Sequence, residues 1–320
     1  MTEAVLSRRE DPYLRRLRAY LAERFPLFGH VILIFAYYSS NQFLAKALTR
    51  PGQPVTYDIS TILGASALLL FFFHLRVFDE HKDYVEDCRF HPERVLQRGV
   101  ITLRDLRLLA AMALALEFTF AAILGLAPLL ALAVAFGFSL LMMKEFFASD
   151  WLKRHFLVYA TSHMLIMPLL SLMIFSFTTR RFPHEAPPLF WVYAVVGFFV
   201  TFNVEVSRKI RAPEQEVEGL ETYSKIFGTY GAAWIVMGIR VIDTGLVAIV
   251  GFALGAHPWF YVALIALFVF SIGSFLRFRF RTTPRAAKML EINAGVYLIA
   301  FDLILAAELI RMYGLRVTAG

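Results

Sequence analysis

The stretch "TILGASALLLFFFHLRVFDEHKDYVEDCRFHPERVLQRG", residues 61–99, passes without a linker from a membrane-grade apolar run into a charged one. Between Thr61 and Leu75 the only ionisable side chain is His74. Positions 79–87 then carry five acids: Asp79, Glu80, Asp83, Glu86 and Asp87. Asp79, Asp83 and Asp87 recur every four residues, so on a helix they share one face. Like charges at that spacing repel by about 0.2–0.5 kcal/mol per pair. The stretch therefore predicts a membrane-crossing helix whose charged end holds something positive.

The rest of the chain has the same character. Of 320 residues 58% are hydrophobic and only 18% are charged, and the mean hydropathy is +0.61. A soluble domain carries more charge and fewer apolar blocks. The blocks predict about nine transmembrane helices, over 26–46, 57–76, 106–124, 127–147, 155–176, 188–206, 229–252, 257–276 and 289–311. Each is close to the roughly 20 residues that cross the hydrocarbon. Helices satisfy their backbone groups internally, and the short alternating strands of a β-barrel do not occur. The expected fold is an all-α integral membrane bundle forming one membrane domain over 1–320. The polar, basic opening "MTEAVLSRREDPYLRRLRAYLAERF" lacks the apolar core of a cleavable signal peptide. A single cysteine, Cys88, excludes a disulfide framework and a cysteine metal site.

Basic residues give the expected orientation. The N-terminus and every second connection together hold 25 Lys and Arg, against six on the opposite side. The rich side is expected to be cytoplasmic, with the N-terminus inside and the C-terminus outside a cytoplasmic (inner) membrane. The net charge of +7 is then a matter of topology and lipid headgroups, with no role for nucleic acid. Two inner connections, about 77–105 and 205–228, are long and acidic. Their four-helix offset hints at a parallel internal repeat.

Two readings of these acids compete. They could solvate helix ends and pair with Arg76, His81, Lys82, Arg89 and Arg94. Alternatively, two carboxylate clusters on different helices converge on Mg2+, which takes a few carboxylates, keeps waters and fills other positions with phosphate oxygens. Lys82, Arg94, Lys209 and Arg211 would then hold the remaining phosphate charge. Among polar residues within spans, Arg240 and Asp243 stand three apart and read as an ion pair. His163 reads as packing or as part of an acceptor cavity.

The run "DEHKDYVEDCRFHPERVLQRGVIT" resembles the first motif of the UbiA-type intramembrane prenyltransferases, N-D-x-x-D-x-x-x-D followed by P-x-R and S-G-x-I. Asp79 stands at the Asn position and Glu80 at the next Asp, while Asp83 and Asp87 stand at the later Asp positions. Pro92, Arg94, Gly99 and Ile101 follow in register. The family's second motif, E-I-x-K-D-I-x-D-x-E-G-D then G-x-x-T, is similar to "EVSRKIRAPEQEVEGLET". Glu205 stands at the leading Glu, Arg208 at the Lys and Lys209 at the following Asp. Ala212 replaces a metal-binding Asp, Glu214 and Glu216 cover the last two acids, and Gly219 and Thr222 return to register after a two-residue shortening.

The resemblance implies nine helices and a Mg2+-dependent transfer of an isoprenyl group from a polyprenyl diphosphate to an aromatic or lipid acceptor within the membrane. It implies Asp83 and Asp87 as catalytic metal ligands, with Asp79, Glu80, Glu205, Glu214 and Glu216 also binding metal. Arg94, Lys144 and Lys209 would bind diphosphate. The loss of an acid at Ala212 leaves open a second metal, and also a different chemistry such as isoprenoid cyclisation. A transporter with a charged vestibule is the rival from another class; Gly/Pro-broken helices at matching points would favour it.

Overall fold

The computed structural model describes residues 12–219 and 221–318. Thirteen helices follow in chain order: α1 (Tyr13–Arg24), α2 (Leu27–Thr49), α3 (Ile59–Lys82), α4 (Tyr84–Phe90), α5 (Leu103–Leu124), α6 (Leu126–Met143), α7 (Ser149–Arg154), α8 (Phe156–Met164), α9 (Ile166–Thr179), α10 (Pro188–Arg208), α11 (Tyr223–Leu254), α12 (Pro258–Phe280) and α13 (Pro284–Tyr313). Two short strands, β1 (Val55–Tyr57) and β2 (Leu315–Val317), pair in parallel at one end of the bundle. Among the described residues eight helices are long and apolar enough to cross a membrane, counting α8 and α9 as one. The α1–α2 pair, bent by 56°, makes up to nine.

Local chemistry sets these boundaries. Asp58 caps α3 in a reciprocal pair with Thr61, and Thr102 caps α5 in the same way with Asp105. Proline opens α10, α12 and α13, where its missing N–H costs nothing. Large apolar side chains such as Phe28, Ile62, Leu108 and Phe252 point outward, as a lipid-facing surface requires. Inside, helices approach closely where side chains are small: a Cβ at Gly64 would lie 1.9 Å from the Tyr38 hydroxyl, so α2 and α3 meet there only because residue 64 is glycine.

Three departures from the sequence reading bear on function. The first acidic connection is largely helical, since α3 runs on to Lys82 and α4 follows after Asp83 alone. The bonds Asp83 N–Asp79 O and Asp87 N–Asp83 O, both 2.8 Å, carry the four-residue register through that junction. The helix expected over 127–147 stops at Met143 and gives way to Glu145, Phe146 and Phe147, all left-handed (φ 46°, 52° and 57°). Such non-glycine residues cost roughly 1–2 kcal/mol each. The helix expected over 155–176 breaks at Leu165, three residues before Pro168, whose missing N–H cannot bond to the carbonyl of Met164.

Candidate functional site: a charged cavity at one end of the bundle

The ends of α1 and α3, with Asp83, α4 and Arg94, the end of α6, the second half of α8 and the end of α10 line a cavity of about 320 Å³. Its walls carry four carboxylates, Asp79, Asp83, Asp87 and Glu205, and six cations, Arg24, Arg76, Lys82, Arg94, Arg208 and Lys209. Met142, Ala160 and Met164, with Tyr159 and His163, complete the lining. The lining is therefore mixed, mostly ionic with a few apolar and aromatic side chains.

Each charged group is held by an identifiable device. Pro92 follows the end of α4 at Phe90, and the segment after it folds back so that Val95, Leu96 and Ile101 pack with Tyr20 and Val77. That places Arg94 Nη1 2.6 Å from Asp87 Oδ2, with Arg24 Nη2 3.8 Å from the same oxygen. On α10, Glu205 is bracketed by its own helix, Arg208 Nη2 at 2.5 Å from Oε2 and Lys209 Nζ at 2.6 Å from Oε1. Lys82 Nζ donates to the Tyr159 hydroxyl at 2.9 Å and lies 3.6 and 4.0 Å from oxygens of Asp79 and Asp83.

Asp79 and Asp83 are the least engaged of the acids. Their side chains are 48% and 43% exposed, and Lys82 reaches neither within a direct hydrogen bond. Burial, together with the like charges of Asp79, Asp87 and Glu86, pushes the Asp83 carboxyl up to about 6, against the pull of Lys82. A hard cation offsets such surplus negative charge, so these two carboxylates fit a single divalent ion completed by phosphate oxygens and water.

Asp79, Asp83, Asp87, Arg94, Glu205 and Lys209 thus line one space, and of these the three aspartates are the ones whose spacing put them on one helical face. The other named residues lie elsewhere. Glu80 is fully buried on the far side of α3, its Oε1 2.7 Å from Arg24 Nε and 3.2 Å from Arg76 Nε, where it ties α1 to α3. Glu214 is exposed outside the cavity. Glu216 accepts from the hydroxyls of Thr222 (2.8 and 2.9 Å) and Ser224 (2.6 Å), closing the loop before α11. Lys144 is exposed at the end of α6, where the left-handed turn begins. Arg211 turns back onto the carbonyls of Arg208 and Ile210. Among the described residues no three carboxylates or histidines are gathered tightly enough to hold a metal by themselves.

Arg24, Arg208 and Tyr159 join the cavity without having been singled out for it. Arg24 ends a basic helix in the polar opening of the chain. Tyr159 is one of 13 tyrosines, and no pattern in the sequence sets it apart from the others. The deeper polar residues pair among themselves: Arg240 Nη1 lies 2.9 Å from Asp243 Oδ2, with Arg240 Nη2 3.1 Å from Asn203 Oδ1.

Comparison with known proteins identifies the family and the fold. The model of the UbiA prenyltransferase family matches residues 43–295. No curated protein matches the sequence. Among solved structures, the apo form of a UbiA homolog from Aeropyrum pernix K1 is similar with a TM-score of 0.63 at 17% identity, over 89% of this chain and 98% of that one. A structure of digeranylgeranylglyceryl phosphate synthase gives 0.62 at 14% identity, over 93% and 99%. A UbiA homolog from Archaeoglobus fulgidus bound to DMAPP and Mg2+ gives 0.56 at 16% identity, over 90% and 99%. The family match spans most of the bundle and both acidic segments, and this chain belongs to the UbiA prenyltransferase family.

Proposed function

We propose that this chain transfers an isoprenyl group from a polyprenyl diphosphate to an apolar acceptor, with Mg2+ as cofactor. The observation that carries the reading is the cavity's composition, four carboxylates and six cations lined up beside Met142, Ala160, Met164 and the Tyr159 ring. Asp79 and Asp83 would hold the ion, which neutralises charge on the diphosphate as it leaves. Asp87 orients Arg94 by their 2.6 Å contact, and Arg94, Lys82 and Lys209 are placed to bind the phosphate oxygens. Met142, Met164 and the Tyr159 ring offer the first isoprene unit a dry, polarisable surface. There water is kept from the allylic cation, and a ring face attracts it by about 2 kcal/mol when desolvated. Charge asymmetry supports a cytoplasmic-facing cavity in the inner membrane. The similarity to homologs solved with Mg2+ and DMAPP or GPP points to the same donor class.

The test uses purified protein with Mg2+ and a series of prenyl diphosphates, with and without membrane extract. Diphosphate release that requires Mg2+ and is stimulated by the extract is expected. Absence of both binding and release across the series would refute the reading.

A further inference from the structure

We infer that the site takes one divalent ion, and that Lys209 and Arg208, fixed cations of the protein, occupy the place where a second ion would otherwise sit. The inference rests on the diphosphate reading above and specifies the charge composition of that site.

Glu205 is the only carboxylate of the second acidic segment that reaches the cavity. Both its oxygens are taken, at 2.5 and 2.6 Å, by cations three and four residues along the same helix. A divalent ion at Glu205 would have to displace these contacts and then sit beside two positive charges. No other acid of the segment can take over. Residue 212 is a buried alanine without a ligating atom, Glu214, Glu218 and Glu221 are exposed and do not line the cavity, and Glu216 is committed to Thr222 and Ser224. The first segment differs in kind, because Asp79 and Asp83 retain oxygens that no side chain reaches within a hydrogen bond.

Charge balance agrees. The six cations on the walls outnumber the four carboxylates, and buried Glu80 behind them offsets one of Arg24 or Arg76. The protein thus presents one surplus positive charge. A prenyl diphosphate brings roughly three negative charges at neutral pH. One divalent ion makes the filled cavity neutral, whereas two would leave it strongly positive in a low-dielectric setting where uncompensated charge is costly. Lys209 is suited to the role: its side chain is 29% exposed, and Arg208 remains on Glu205 if Lys209 swings to a phosphate oxygen.

The test counts ions directly rather than through turnover. Detergent-purified full-length protein is saturated with Mn2+ and inorganic diphosphate and separated from unbound Mn–diphosphate by rapid gel filtration, protein-bound Mn2+ and phosphorus are counted by elemental analysis, and diphosphate binding is followed separately. One Mn2+ per chain is expected. Lys209→Gln should keep that single Mn2+ while weakening diphosphate binding about 10- to 100-fold, the loss of one charge-assisted contact. Lys209→Asp, which sets a second carboxylate one helical turn from Glu205, should admit a second Mn2+. Two Mn2+ in the unmodified protein would overturn the inference while leaving the diphosphate site standing. Unchanged diphosphate affinity in Lys209→Gln, or a single Mn2+ in Lys209→Asp, would also overturn it. Failure to bind diphosphate under any condition would remove the site reading itself, and this inference with it.

Discussion

Replacing Asp83 with Asn tests the site through two properties that should move in opposite directions. The substitution keeps the side chain's shape and removes one negative charge from the face shared by Asp79 and Asp87. In the ligand-free protein that charge is unfavourable, because burial and neighbouring acids push the carboxyl from 3.8 to about 6. A shift of this size corresponds to roughly 3 kcal/mol. The side chain is 43% exposed, and solvent screening brings the effect down to about 1 kcal/mol. The sign follows from proton linkage: the folded state holds the Asp83 proton more tightly than the unfolded chain, so this group's contribution falls as pH rises from about 4 to 6. Above that window both states are ionised and the full penalty applies. Asp83→Asn should therefore match the unmodified protein near pH 4 and exceed it at pH 7.5, by about 2 °C in Tm for a gain of 1 kcal/mol. Turnover should fall by about 10²–10³, the usual loss when one charge-stabilising contact is removed. Thermal unfolding in detergent at both pH values, with and without Mg2+ and a prenyl diphosphate, reads all of this. The unmodified protein should gain stability with ligand, about 2.7 kcal/mol at a hundredfold excess over Kd, and the variant little. A variant less stable at pH 7.5, with turnover intact, would show that Asp83 is a structural residue and refute the site.

Glu80→Gln should behave in the reverse manner, lowering stability by about 2 kcal/mol because two guanidiniums lose a buried partner that only partial exposure of Arg24 and Arg76 can offset; chemical unfolding should show this while ligand-induced stabilisation persists. Ala212→Asp places a carboxylate at a fully buried position, so reduced Tm is expected instead of tighter Mg2+ dependence, and a gain of bound metal would contradict the arrangement of the second segment. Single cysteines at positions 90 and 215, in a background with Cys88→Ser, should label from the same side of the membrane in oriented vesicles; labelling from opposite sides would separate the two acidic segments and dismantle the cavity.

The bundle was legible because lipid imposes a simple rule, and the blocks of apolar sequence follow it. Ranges such as 188–206 and 257–276 reappear as α10 (Pro188–Arg208) and α12 (Pro258–Phe280). Misreadings gather where backbone chemistry departs from hydropathy. Hydropathy sees 127–147 as uniform, yet the helix gives way at Lys144 to a left-handed turn. It sees 155–176 as uniform too, although Pro168 removes a hydrogen-bond donor just past the break. Both interruptions border the cavity, and the second leaves Tyr159 and His163 on a short helix of their own, α8.

The acids present the opposite problem. Periodicity correctly placed Asp79, Asp83 and Asp87 on one face, but periodicity assigns a face and not a partner. Glu80 lies next to Asp79 in sequence and about 100° away around the helix, which turns it toward Arg24 and Arg76 and out of the cavity. Glu214 and Glu216 look like a cluster only when read along the chain, since the loop that carries them sends one into solvent and the other onto Thr222 and Ser224. Cations follow the same logic. Lys209 interrupts the second motif as read from sequence, while Arg208 keeps its cation, but three and four residues beyond Glu205 both are where an α-helix places its ion-pair partners. A substitution of charge sign within a ligand motif is therefore informative in a way that simple loss is not: an alanine leaves a gap, whereas a lysine fills the same electrostatic need with a charge that cannot dissociate from the protein.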